Sequence, residues 1–132
     1  MFFKEISLSW RLKELSMLKF IKSVSFALSG LNKMIRNERN FQLQLSAFIL
    51  ICCVGIYHNI SSIEWSLILL ISALVLSLEA INSSIEKVCN LVTTKIHPEI
   101  KIIKDIASGA VVIASVIAII IGCLIFFPYL IE

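Results

Sequence analysis

The sequence predicts an all-α membrane protein, with three transmembrane helices preceded by an amphipathic surface helix. Three observations predict it. Apolar residues make up 58% of the 132 positions and charged ones 16%, against roughly 25% charged in an average soluble protein. Mean hydropathy is +0.94, and a soluble domain this short buries too little of its surface to hide so much apolar area. The third observation is a charge-free run, residues 106–131, bounded by Asp105 and Glu132. A bilayer is the solvent that suits such a chain, which excludes most cytosolic enzyme folds. The net charge of +3 is too mild to call for nucleic acid, and no nucleic-acid partner is expected. The four glycines, Gly30, Gly55, Gly109 and Gly122, lie far apart, so no glycine-rich phosphate loop can be assembled.

Taken in order, residues 1–11 read as an N-terminal extension to a single domain spanning 1–132, and Met17 could serve as an alternative start. No signal peptide is expected, because the first ten residues lack a sustained apolar core and a small-residue cleavage site. Residues 12–36 form the surface helix. Leu12, Leu15, Leu18, Ile21, Val24, Leu28, Leu31 and Ile35 recur at three- and four-residue steps, with Lys13, Lys19, Lys22, Ser29, Lys33 and Arg36 filling much of the other face. That is the pattern of a basic helix lying on a membrane surface. Residues 41–60 become a span if 41–44 and 58–60 lie in the interfaces. Residues 65–86 form the second span, interrupted by Glu79, Asn82 and a few serines. Residues 106–131 are long enough, at about 1.5 Å per residue, to cross a hydrocarbon core of about 30 Å with tilt.

Orientation follows from the basic residues. Lys4, Arg11, Lys13, Lys19, Lys22, Lys33, Arg36 and Arg39 precede the first span, and Lys87, Lys95, Lys101 and Lys104 separate the second from the third. The 58–64 loop and the C-terminus carry none. The positive-inside rule then puts the N-terminus in the cytoplasm and the C-terminus outside. In the third span Ala110, Ala114, Ala118 and Gly122 repeat every four residues, a stripe suited either to packing within the chain or to an oligomer seam.

Glu79, Asn82, Glu86 and Asn90 are the polar residues that composition does not explain. At 100° per residue they share one narrow helix face. Trp65 marks the outer interface. Glu79 then lies about 21 Å across, at inner headgroup depth, and Glu86 about 10 Å further, near the cytoplasm. Glu38 at the start of the first span, and Lys104 and Asp105 at the mouth of the third, converge on that level. An ionisable group inside a span costs a few kcal/mol, so Glu79 with Asn82 points to function. Carboxylates at this surface can hold Mg²⁺, which prefers oxygen ligands and bridges phosphates. A lysine can neutralise phosphate charge, and a deeper carboxylate can act as general base towards a lipid hydroxyl. Together they make a phosphoryl-transfer site.

These residues resemble a known family, the small integral-membrane bacterial diacylglycerol kinases, whose Gram-positive relatives act as undecaprenol kinases. The stretch from Glu79 to Glu86 is similar to the signature ExxNxxIE, and Lys104 to Ala110 to the KDxAxGA segment. Glu38, Asn40 and Phe41 resemble its ExNF segment, and the likeness covers about residues 17–130. It implies a homotrimer with active sites shared between subunits, transferring the γ-phosphate of ATP to diacylglycerol or undecaprenol in the bacterial cytoplasmic membrane. Carried over by position, Glu79 would be the catalytic base and Asn82 would orient the site. Glu38 and Glu86 would hold magnesium–ATP, and Lys104 and Asp105 would contact the nucleotide. Lys19 matches a basic nucleotide-binding position on the surface helix. Asn90 departs from the family's aspartate, keeping hydrogen bonding and losing a charge. The ExNF segment and His97-Pro98 lean towards the undecaprenol branch.

Other features have plainer readings. Cys52, Cys53, Cys89 and Cys123 contain no CxxC pair and read as packing residues. His58 and His97 read as solvated or interfacial, and Trp10 and Trp65 as interface anchors. A non-enzymatic rival is a small transporter subunit using Glu79 as a proton or cation site. It leaves Glu86, Lys104 and Asp105 at the same rim without a purpose. A further alternative is an inactive relative with a structural role.

Overall fold

The computed structural model describes the backbone of residues 2–93, 95 and 97–131, and side chains from Met17 onward within those ranges. Four helices follow one another: α1 (Phe2–Asn37), α2 (Arg39–His58), α3 (Ser62–Val92) and α4 (Pro98–Ile131). The chain divides into two units, residues 1–37 and 38–132. In the first, the expected surface helix is continuous with the residues read as an extension, since α1 already begins at Phe2. Its apolar stripe, including Ile21, Val24, Leu28, Leu31 and Ile35, is exposed. Leu12, Leu15, Lys13 and the anchor Trp10 lie outside the described side chains.

The second unit holds three helices long and apolar enough to cross a membrane, α2, α3 and α4. Each expected span lies within or closely overlaps one of them, and α3 and α4 extend beyond the apolar runs at the charged ends. The tightest pairing is α3 with α4, and α2 packs more lightly on α3. Pro98 opens α4, where its missing N–H is one that a helix start leaves unbonded anyway.

Two ends can be told apart by their contacts. At the aromatic end, Asn59 closes α2 in the left-handed conformation, which asparagine tolerates. Ser61 then opens α3 with a capping box, its side chain accepting from the Glu64 N–H while the Glu64 carboxylate accepts from the Ser61 N–H. The expected 58–64 loop is thus only Asn59, Ile60 and Ser61. Beneath it Ile60, Ile68 and Ile125 form the core, with Ile51, Trp65, Ile121 and Phe126 packed against them. Gly55 permits this approach: a Cβ there would stand 3.0 Å from the Ile60 side chain and 3.1 Å from the Trp65 ring.

The small-residue stripe of α4 divides. Ala114 is buried, Ala110 is exposed, and Ala118 and Gly122 line an apolar groove of about 400 Å³ formed with α2 and α3. A methyl group at Gly122 or Gly109 would meet nothing within 4 Å.

Candidate active site

Glu79 projects from the middle of α3 onto its buried face, which also carries Ile68, Val75 and Ser83. Only 3% of Glu79 is exposed. A carboxylate there requires a donor, because burial without one is costly. The donor comes from α2: the Gln44 amide Nε2 donates to Glu79 Oε2 at 3.1 Å. Asn82, almost one turn on, is half-buried, and Glu86 is exposed although it shares the azimuth of Ile68. The difference is one of depth. Helix α2 starts at Arg39, and Glu38, just before it, already forms an ion pair with Lys87 beside Glu86. Glu86 therefore lies level with the end of the packed bundle.

A second link joins α3 to α4 at the same charged end. The Lys104 ammonium donates to Asn90 Oδ1 at 2.7 Å. The residue that departs from the family pattern thus still holds the lysine. Being neutral, it leaves the lysine charge available to an anion. Asp105, next to Lys104, is exposed. Lys19 stands exposed on α1, in the unit formed by residues 1–37.

The structure therefore gathers Glu79, Lys104 and Glu38 into paired contacts, each bridging two helices of the 38–132 unit, and leaves Glu86 and Asp105 open. Among the described residues, no three of His, Cys, Asp and Glu stand close enough to form a metal cluster. Glu38 and Glu86 still offer oxygen donors of the kind that magnesium takes alongside waters and phosphates.

Two residues that make these contacts do not stand out in the sequence. Lys87 bears on topology by its charge alone, and Gln44 falls in the stretch 41–44 expected at an interface. Gln44 was legible in principle: Phe41, Gln44, Phe48, Ile51 and Gly55 follow the three- and four-residue steps of a packed face, with one amide among apolar residues. His58, read as solvated or interfacial, is half-buried, its ring 5.0 Å from Tyr57 and 5.5 Å from Tyr129.

Residues 25–126 match the model of the family described as prokaryotic diacylglycerol kinase. The chain belongs to the prokaryotic diacylglycerol kinase family. It is 42% identical to the undecaprenol kinase of Bacillus subtilis (strain 168) over 112 residues, 85% of this chain and 91% of that one. Identity to the diacylglycerol kinase of a Synechocystis species is 31%, covering 82% of this chain and 63% of the relative. The diacylglycerol kinase of Escherichia coli (strain K12) is 27% identical, with 84% and 91% covered. Membership in the prokaryotic diacylglycerol kinase family agrees with the three motif segments, which fall on α2, α3 and α4 of the unit just described.

Proposed function

We propose that the chain is an ATP-dependent lipid kinase that transfers the γ-phosphate to the hydroxyl of a membrane lipid alcohol, diacylglycerol or undecaprenol. The observation that carries this reading is Glu79. It is a buried carboxylate held by one amide and set deeper in the bundle than the lysine and exposed carboxylates of the charged end. On this reading the Glu79 carboxylate takes the hydroxyl proton as the alcohol oxygen attacks the γ-phosphorus. The bond from that phosphorus to the bridging oxygen breaks and ADP leaves. Asn82 orients the site, and Lys104 draws the phosphates to the charged end, where Asp105 also contacts the nucleotide; Lys19 on α1 is a further nucleotide-binding residue. Glu38 and Glu86 would hold magnesium, which when bound neutralises phosphate charge. Positioning and electrostatics supply most of phosphoryl-transfer catalysis, which fits a site without a glycine loop.

The groove beside Gln44, lined by Ala47, Phe48, Val75 and Phe126 among others, suits the hydrocarbon of such a lipid. Undecaprenol is the acceptor to test first, because the relative of that name shares 42% identity against 31% and 27% for the two diacylglycerol kinases. The working form is a multi-pass homotrimer in the bacterial cytoplasmic membrane, with the charged end facing the cytoplasm.

The test is transfer of radiolabelled phosphate from ATP to each lipid alcohol in detergent micelles, with Glu79→Gln as blank. Label in one lipid, and none with the variant, establishes the kinase and its acceptor. No label in either, from folded protein, overturns the reading and favours the transporter or inactive-relative alternatives.

A further inference from the structure

Gln44 combines a contact that stabilises a buried carboxylate with an atom that stability alone does not explain. Its Nε2 holds Glu79 Oε2, yet its Oε1 is buried with no hydrogen-bond partner among the described residues. Burying an acceptor without a donor is destabilising, so Gln44 offsets the burial of Glu79 at a cost of its own. The opposite rotation of the amide would turn its carbonyl oxygen towards a carboxylate, so the N–H is the atom that belongs against Glu79. The same side chain lines the apolar groove between α2, α3 and α4, so Gln44 stands both in the groove lining and against the buried Glu79. A carboxylate with one oxygen bonded from one direction has lost rotational freedom, and its other oxygen is aimed by that restraint.

We infer that Gln44 is a positioning residue of the phosphotransfer site: its amide N–H pins one oxygen of Glu79, leaving the other directed at the lipid hydroxyl. This rests on Glu79 being the base. Gln44 acts through Glu79 and makes no demand on the nucleotide. Its loss therefore lowers the chemical rate and leaves nucleotide affinity alone.

The experiment compares the full-length parent with Gln44→Met and Gln44→His in micelles, reading kcat, the KM for ATP and the thermal melt. Methionine keeps length and volume and removes both polar atoms. Histidine restores an N–H at similar reach. Gln44→Met should lose at least about tenfold in kcat, with KM for ATP within about twofold and the fold retained, whereas Gln44→His should recover to within about threefold of the parent. A folded Gln44→Met at the parental rate, or a folded Gln44→His as slow as Gln44→Met, overturns the inference. If Gln44→Met does not fold, the histidine variant decides by the same threefold and tenfold limits. A parent that transfers no phosphate sinks the kinase reading itself, which these variant comparisons leave untouched when the parent is active.

Discussion

Glu79 is where a residue-level property makes the sharpest demand. A carboxylate that is 3% exposed in an apolar helix pair has one role on the proposed mechanism, taking a proton, so an amide of the same shape should abolish it. Glu79→Gln is expected to lower kcat by about 10²- to 10⁴-fold while ATP still binds, measured by turnover alongside nucleotide titration. Glu86 is exposed, and its removal should act on binding: Glu86→Gln is expected to raise the KM for magnesium–ATP about tenfold with a smaller change in kcat. Near-normal rates for both variants on every lipid tested would show the roles to be wrongly assigned. At this scale the charged participants were legible in advance, because charge inside an apolar run is conspicuous. Gln44 was not, since an uncharged amide near a span end is commonplace and only its partner 35 positions away distinguishes it.

Helices α2, α3 and α4 are joined at the aromatic end by contacts that individual residues make possible. Gly55 is the tightest. Gly55→Ala would push a methyl group to 3.0 Å from Ile60 and 3.1 Å from Trp65, and is expected to destabilise by about 1–3 kcal/mol in a thermal or denaturant melt. Tyr129 links the last turn of α4 to the start of α3 by donating its hydroxyl to Glu64 Oε2 at 3.1 Å, with the His58 ring alongside. Tyr129→Phe should lower the melting temperature while leaving kcat unchanged, because this end lies a bundle length from Glu79. The helices themselves were legible from periodicity and hydropathy. Their ends were less so: α3 and α4 run past the apolar spans because backbone hydrogen bonding continues after the hydrophobic pattern stops. The four-residue stripe of α4 was ambiguous for a physical reason, as periodicity defines a face and not its occupant. Ala114 meets its own chain, whereas Ala118 and Gly122 border an open groove.

The molecule as a whole leaves apolar grooves open along its flank, one of about 400 Å³ beside Gln44 and one of about 600 Å³ beside Val88 and Ile103. Lipid or further copies of the chain can cover such surfaces. The proposed trimer predicts three copies by native mass spectrometry from mild detergent, and a fully active monomer would rule it out. Topology is open to a chemical test. In a background lacking the four cysteines, a membrane-impermeant maleimide on intact cells should label Ser62→Cys and spare Lys95→Cys. The reverse pattern would invert the orientation drawn from the basic residues.

Composition and periodicity alone determined that the chain is helical and membrane-spanning, how many spans it has, and which charged residues stand out within them. These are local properties: each helix satisfies its own backbone, and each residue's affinity for lipid is set before any neighbour arrives. Tertiary structure decided the pairings. That Gln44 rather than a lysine meets Glu79, that Lys87 takes Glu38, that Asn90 takes Lys104, and that Gly55 lets Trp65 in are facts about contacts between helices. Such contacts depend on the rotation and depth at which one apolar helix settles against another, and in a chain this apolar many rotations would look equally acceptable from hydropathy alone. Packing and a few buried polar contacts select among them.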